Sequence, residues 1–210
     1  MIRVAPEGRP FIAGAAIIWL ALVLTGWWGV ALAWLPVALW VVAFFRDPDR
    51  EGPRGDHLLI APADGKVVAI VTLDEPEFLK GRATRVSIFM NVFDVHVNRY
   101  PIAGTVEYRR YLRGRFGHAA TEKSSEENEQ AAIGISTARG RVLVRQIAGL
   151  IARRIVTDHE VGTVVQQGER MGMIRFGSRV DLFFPQSARV LVRSGDRVRA
   201  GLTVVAQWDR

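Results

Sequence analysis

The feature that most constrains this chain is a run of 35 residues, Phe11–Phe45, that contains no ionisable side chain. As one straight α-helix it would extend for about 50 Å, well beyond the roughly 30 Å hydrocarbon core of a bilayer. Thr25 and Gly26 offer a natural bend, so the sequence predicts a helical hairpin that returns the chain to its starting side. A cleavable signal peptide ending near Ala31–Ala33 is the alternative, although the apolar run continues well past that site.

Charged residues flank this run on both sides. Arg3 and Arg9 precede it and Arg46 and Arg50 follow it, which favours a cytoplasmic location for both ends of the hairpin. The whole chain carries a net charge of +7, so an anionic partner is expected. Because the basic residues accompany an apolar segment and no nucleic-acid-reading motif is present, the prediction is an anionic membrane rather than nucleic acid.

The composition changes after residue 50. Eight short segments rich in Val and Ile are separated by turn residues, which predicts a mainly β domain over residues 51–210. Two segments near the end, VVQQGERMGMI and VRSGDRVRAGLTVV, resemble the hairpins of biotinyl and lipoyl carrier domains, whose fold is a barrel-sandwich hybrid. Neither segment has the lysine that carriers modify. The fold expected is therefore a barrel-sandwich-hybrid-like β domain behind a membrane-associating segment at 1–50.

Several kinds of chemistry find no support in the sequence. The chain has no cysteine, which excludes a thiol nucleophile, a disulfide framework and a thiolate metal site. Its four histidines are His57, His96, His118 and His159. None has a second histidine at the spacing of a helical metal site, so no metal is predicted. No nucleophile elbow or phosphate-binding loop is present either.

Several polar motifs remain in this order: FFRDP, PADGKV, NVFDVHVNRYPIAGTV, SEENEQ, QIAGLIARRIV and GERMGMIRFGSRVDLFFP. On residue type alone, the Gly177-Ser178 pair in the last motif reads as a hairpin turn. Taken together, the motifs resemble the pyruvoyl-dependent phosphatidylserine decarboxylases, in their short proenzyme type, over essentially the whole chain. Any one motif would be weak, and their shared order and spacing carry the resemblance.

The resemblance implies that the chain cuts itself between Gly177 and Ser178. The Ser178 hydroxyl would attack the Gly177 carbonyl, which lacks a neighbouring Cβ and is therefore open to attack. Ser178 would become a pyruvoyl group, the only cofactor implied. Chains 1–177 and 178–210 would remain together as an αβ heterodimer, and the resemblance leaves any higher oligomeric state open.

The implied reaction converts phosphatidylserine to phosphatidylethanolamine. The pyruvoyl ketone would form a Schiff base with the substrate amine and accept electrons as carbon dioxide leaves. The apolar anchor fits a substrate within the bilayer and implies a cell-membrane protein with its catalytic domain on the cytoplasmic side. A non-enzymatic, membrane-anchored barrel-sandwich adaptor is the alternative, and it would keep the chain uncut.

His96 and Asp64 are the side chains assigned to catalysis beside Ser178. His96 would transfer protons because its ordinary pKa lies near neutrality, and Asp64 would orient it or balance its charge. Each also has an ordinary interpretation, as a satisfied strand residue and as a turn former. Longer bacterial members have a second histidine three residues on, where this chain has Arg99. Either His96 serves both steps, or another histidine such as His118 or His159 contributes.

Two further stretches deserve a structural test. Arg109, Arg110, Arg113 and Arg115 form a basic run that could bind a lipid phosphate or the anionic bilayer surface, or could simply be a solvated strand face. The motif SEENEQ reads as a polar loop on composition. The resemblance draws attention to two of its residues, Asn128 and Glu129, without giving them a role.

Overall fold

The computed structural model describes residues 3–114, 128–149, 154–175 and 178–209. The chain divides into two compact units, Met1–Asp49 and Arg50–Arg210, called here the helical unit and the β unit.

The helical unit is a hairpin of two helices. Its elements are β1 (Arg3–Val4), α1 (Arg9–Leu24), α2 (Trp28–Phe44) and β2 (Arg46–Asp47). The bend lies at Thr25, whose hydroxyl donates to the Ala21 carbonyl at 2.8 Å, and at Gly26, whose φ of +80° favours glycine. Strands β1 and β2 pair antiparallel and join the two ends of the hairpin. The predicted helical hairpin is therefore confirmed.

Most large apolar side chains of the helical unit are exposed. Leu24 is 77% exposed and Leu32 is 71% exposed, whereas the buried residues of the two helices are Ala15, Ala31 and Phe44. The helical stretch Pro6–Leu24 is long and apolar enough to cross a membrane, and α2 is slightly shorter. A helix on the surface of a globular domain normally has a polar face toward water. Neither of these two helices has one.

The β unit is built from antiparallel strands. They are β3 (Leu58–Ile60), β4 (Gly65–Glu75), β5 (Gly81–Met90), β6 (Val97–Arg99), β7 (Gly104–Leu112), β8 (Gln130–Thr137), β9 (Gly140–Ala148), β10 (Ile155–Thr157), β11 (Val164–Val165), β12 (Arg170–Ile174), β13 (Ser178–Pro185), β14 (Arg189–Val190), β15 (Arg197–Val198) and β16 (Val204–Gln207). Each of the eight predicted Val- and Ile-rich segments contributes a strand. The predicted mainly β fold is confirmed.

The main sheet is curled into a half-barrel with the strand order β11-β7-β8-β9-β13-β5-β4-β15. Two three-stranded sheets, β10-β12-β6 and β14-β16-β3, complete the unit. A single large apolar cluster joins side chains from all three sheets, among them Leu59, Ile133, Val180 and Ile174. Burial of this apolar surface from water is the main stabilising term of the β unit.

Strand β13 lies in the middle of the main sheet, paired with β5 on one side and β9 on the other. Its side chains alternate between two buried faces. Val180 and Leu182 enter the large apolar cluster, while Arg179 and Asp181 face the other way and form a two-pronged ion pair with N–O distances of 2.9 and 2.8 Å. Because this pair is almost fully buried, its two charges depend on each other for compensation.

Candidate active site

Ser178 is the first residue of β13 and is completely buried. Its backbone pairs with Met90 of β5 and Ala148 of β9, so its place is fixed from both sides. The Ser178 hydroxyl donates a hydrogen bond to the Met90 sulfur at 3.4 Å. A thioether is a weak acceptor, so this contact holds the hydroxyl loosely. Gly177, the other half of the predicted cleavage site, lies outside the described residues.

His96 comes directly before β6 and is also completely buried. Its Nδ1 lies 2.9 Å from the Asp94 carbonyl oxygen. Because a carbonyl can only accept, Nδ1 must carry the proton, and the neutral ring then has its lone pair on the buried Nε2. The His96 carbonyl accepts the Ile174 N–H at 3.4 Å, which sets its backbone beside the segment that leads to Ser178.

The loop before His96 is shaped by the Asp94 carboxylate. One oxygen accepts the Asn91 N–H at 2.9 Å, and the other accepts from Arg197 at 3.1 Å. This closes a tight turn of the kind that Asp side chains favour. The turn fixes the Asp94 carbonyl to which the His96 ring donates, so the orientation of the ring follows from local backbone geometry.

A chain of buried polar side chains connects β6 to Ser178. Gln146 on β9 donates to the Asn98 Oδ1 at 2.7 Å, and Asn98 donates to the Met90 sulfur at 3.7 Å. Met90 therefore contacts both Asn98 and the Ser178 hydroxyl. Asn98 and Gln146 are completely buried. Neither residue could be identified from the sequence, because an isolated Asn or Gln in a strand gives no signal of a functional role.

Asn128 and Glu129, the pair noted in SEENEQ, lie next to the strand partner of Ser178. The Asn128 amide donates to the Ala148 carbonyl at 2.7 Å, and the Ala148 N–H donates to the Glu129 carbonyl at 2.9 Å. The Glu129 carboxylate accepts from the Tyr111 hydroxyl. Burial, reinforced by this hydrogen bond and the Glu129 charge, raises the pKa of Tyr111 to about 12. Tyr111 is therefore a neutral phenol at physiological pH.

Asp64 lies between β3 and β4 and is held by two partners. Its Oδ2 accepts from Arg50 at 2.8 Å, and its Oδ1 accepts the Ala200 N–H at 2.7 Å. Burial raises the pKa of Asp64 above its usual range, and the nearby Arg50 charge opposes that rise. The hydrogen bonds that the structure gives for Asp64 go to these two residues and not to His96. They join the start of the β unit to the turn before β16.

The remaining candidate residues are dispersed. His159 contacts the buried Tyr100 hydroxyl at 3.3 Å through Nδ1 and Glu169 at 3.3 Å through Nε2. His118 and Arg115 lie outside the described residues. Across the described part of the chain, no group of three or more His, Asp or Glu residues is arranged to hold a metal ion.

Comparison with known proteins gives a consistent result. The sequence model of the phosphatidylserine decarboxylase family matches residues 37–206. Three proteins named phosphatidylserine decarboxylase proenzyme are similar along nearly their full length. The one from Symbiobacterium thermophilum is 48% identical over 97% of this chain and 95% of its own length. Those from Syntrophotalea carbinolica and Desulfotalea psychrophila are 47% and 44% identical, over 96% and 98% of this chain and 95% and 97% of theirs.

These matches confirm the resemblance drawn from the motifs. They extend over both units, and the family model includes the His96 loop and Ser178. The chain therefore belongs to the phosphatidylserine decarboxylase family.

Proposed function

We propose that this chain is a proenzyme that cuts itself between Gly177 and Ser178 and then decarboxylates phosphatidylserine to phosphatidylethanolamine through a pyruvoyl group at position 178. Membership of the family supports the decarboxylase activity. The observation that carries the self-cleavage is the position of Ser178, a buried hydroxyl at the first residue of a central strand. A turn residue of an ordinary hairpin would instead be exposed to water.

The cut begins with the Ser178 hydroxyl. Its oxygen attacks the Gly177 carbonyl carbon, the peptide C–N bond breaks, and an ester forms while the amine of residue 178 takes up the proton. Loss of the Ser178 α-proton then expels the Gly177 carboxylate and leaves a dehydroalanine. Its imine tautomer reacts with one water molecule and releases ammonia, which gives the pyruvoyl group. Residues 1–177 and 178–210 become separate chains.

His96 is the proposed proton acceptor for the first step. The hydrogen bond from its Nδ1 to the Asp94 carbonyl keeps the lone pair on Nε2, which is the nitrogen that can accept the Ser178 proton. The Ser178 hydroxyl gives up only a weak bond to the Met90 sulfur when it reacts. Asp64 is proposed to contribute charge to this region, and its direct partner is Arg50 rather than the imidazole.

The surroundings of residue 178 fit a pyruvoyl group. A pyruvoyl group supplies an electrophilic carbonyl and an electron sink, which no amino-acid side chain offers. Pairing of β13 with β5 and β9 holds residue 178 between Met90 on one neighbouring strand and Ala148 on the other. Asn98 and Gln146 position the Met90 sulfur and surround the site with fixed amide groups. Their complete burial excludes water, which strengthens electrostatic interactions there.

The helical unit is proposed to keep the β unit at the membrane where the substrate lies. Its exposed leucines and the length of Pro6–Leu24 support this role. Arginines on both flanks of the hairpin favour the cytoplasmic side for both ends. The partners proposed are thus phosphatidylserine, an anionic membrane, and the second chain produced by the cut.

Intact-mass measurement on denatured protein tests this proposal, with wild type, Ser178→Ala and a control Ser136→Ala compared. Wild type and the control should give two fragments, the smaller with a blocked N-terminus, and should release carbon dioxide from phosphatidylserine. Ser178→Ala should stay one chain and be inactive. A wild-type chain that remains whole in membranes would refute the proposal and favour the non-enzymatic anchored adaptor.

A further inference from the structure

A cavity of about 280 Å³ lies on the β unit between the end of β7 and the chain around β10. The residues that line it are Arg109, Arg110, Tyr111, Ala131, Arg154, Ile155, Val156 and Thr157. Three of them are arginines and two others carry hydroxyl groups, so the lining is rich in hydrogen-bond donors. Guanidinium groups match the geometry of a phosphate with paired N–H donors.

The arginines of the cavity differ in how far they are neutralised. Arg109 contacts the Thr157 hydroxyl and Glu160, but the Glu160 side chain is 82% exposed. Arg110 pairs with Glu77. Within the part of the chain that the structure describes, no carboxylate lies within ion-pairing distance of Arg154. Because exposed ion pairs are weak, a bound anion can replace Glu160 as the partner of Arg109. The same anion can form an ion pair with Arg154.

One wall residue of the cavity, Ala131, lies on the same face of the main sheet as the Ser178 side chain. Ala131 in its wall pairs with Gln146, and Gln146 pairs with Val180, which alternates onto the same face as Ser178. Two strand spacings separate Ala131 from Val180, or about 10 Å. This wall of the cavity is therefore two strands away from β13, the strand that begins at Ser178.

The second wall of the cavity leads to Ser178 along the chain. The Arg154 carbonyl accepts the Arg175 N–H at 3.3 Å, and Arg175 stands three residues before Ser178. The backbone of Arg154 is thus hydrogen-bonded to the segment that directly precedes Ser178 in the chain.

We propose that this cavity binds the phosphodiester of the phospholipid substrate, with Arg109 and Arg154 as the charged ligands. This inference rests on the proposed function and adds that the enzyme recognises the phosphate as well as the serine group. A phosphodiester carries one negative charge and only acceptor oxygens, which suits a lining of guanidinium groups and the Thr157 hydroxyl. Of the basic run, the proposal assigns phosphate binding to Arg109 only. The second charged ligand, Arg154, comes from a segment that is distant in the sequence.

Steady-state kinetics of Arg154→Gln and Arg109→Gln test the proposal, with Arg82→Gln as the matched control. Arg82 is exposed and lies at the other end of β5 from Met90. In neutral detergent micelles, both cavity variants should cleave normally, raise the KM for phosphatidylserine about tenfold, and leave kcat within about twofold. Arg82→Gln should match wild type.

Two soluble substrates identify the source of the phosphate. Glycerophosphoserine keeps the phosphodiester without a bilayer, and O-methylserine lacks it. The proposal expects Arg154→Gln to weaken the use of glycerophosphoserine and to leave that of O-methylserine unchanged. An unchanged KM for phosphatidylserine would overturn it. So would a defect that appears only on vesicles containing phosphatidylglycerol, since that result would mean general attraction to an anionic surface.

A binding measurement separates this proposal from the proposed function. Calorimetric titration of the full-length Ser178→Ala chain with glycerophosphoserine requires neither cleavage nor turnover. The double variant that carries Ser178→Ala and Arg154→Gln should bind glycerophosphoserine about tenfold more weakly. The double variant that carries Ser178→Ala and Arg82→Gln should bind it as the Ser178→Ala chain does. Equal affinity in all three proteins would refute the cavity as the phosphate site even if wild type proves to be a decarboxylase. Binding that depends on Arg154 would stand even if wild type is never cut.

Discussion

The two units of this chain use the same apolar residue types in opposite ways. In the helical unit, Leu24 and Leu32 are more than two-thirds exposed, whereas Leu59 and Leu182 of the β unit are completely buried. Removing apolar side chains from water stabilises the β unit. The helical unit buries few of its large apolar side chains, so its exposed leucines gain little from its own fold and are consistent with the proposed attachment to a membrane. Under the proposed function, the helical unit determines where the protein lies and the β unit forms the active site.

The sharpest test of this contrast is one substitution made in both units. Leu182→Lys places an unpaired ammonium in a completely buried position, and we expect it to prevent folding of the β unit. Leu32→Lys should leave the fold and self-cleavage intact and reduce binding to lipid vesicles roughly a hundredfold, from a cost of about 3 kcal/mol. Circular dichroism and vesicle sedimentation measure the two effects.

Replacement of the same leucines by methionine provides the control, because volume-conserving apolar changes cost less than about 1.5 kcal/mol. If Leu32→Lys unfolded the protein, the helical unit would have a core of its own and the contrast between the units would fail.

The proposed chemistry depends on His96, which belongs to the β unit. His96→Gln removes the proposed base while keeping a side chain of similar reach, and it should slow self-cleavage by a factor on the order of 100 to 10,000. His57→Gln is the matched control, since His57 contacts Asp56 at 3.5 Å and belongs to no part of the proposed site. Cleavage is followed by gel electrophoresis after synthesis. Equal cleavage rates in both variants would remove His96 from the mechanism.

A third test compares one ion pair from each unit. Arg50 and Asp64 form a pair in the β unit with side chains 9% and 12% exposed, and Arg3 and Asp49 form one in the helical unit that is 71% and 60% exposed. Arg50→Gln should lower the free energy of unfolding by about 3 kcal/mol because it leaves a buried carboxylate uncompensated. Arg3→Gln should change it by less than about 1 kcal/mol. Denaturant titration of uncut Ser178→Ala protein measures both.

The smallest expected effect is a pH dependence carried by Asp64. Since its pKa is raised on folding, the folded chain binds this proton more readily than the unfolded chain. The corresponding stability is present below the ordinary aspartate pKa and is lost as the pH rises through the folded pKa. The stability of the Ser178→Ala chain relative to its Asp64→Asn derivative should therefore increase as the pH falls from neutrality. A constant difference across that range would contradict the raised pKa.

Local patterns predicted much of the fold. The bend at Thr25 and Gly26 and the eight Val- and Ile-rich strand segments follow from glycine chemistry and from apolar runs between turns. Both features can be inferred from a few neighbouring residues.

Other parts of the site depend on residues far apart in the sequence. Asp64 and Ala200 are 136 positions apart, and Gln146 and Asn98 are 48 apart. Neither local sequence indicates the partner, so the hydrogen bond from Ala200 to Asp64 and the amide chain to Met90 could not be predicted. The assignments of Ser178 and His96 came from the resemblance to the family, since composition alone describes them as a turn and a strand residue.

The central position of β13 determines how the protein can refold before and after the cut. Under the proposed cut, this strand belongs to the product of residues 178–210, although its two neighbours, β5 and β9, belong to the other product. The uncut chain folds in a unimolecular reaction. A denatured, cut molecule would need a second chain to diffuse in and supply the middle of its sheet, so recovery would depend on protein concentration. The lifetime of the mature protein would then be set by its rate of unfolding rather than by an equilibrium.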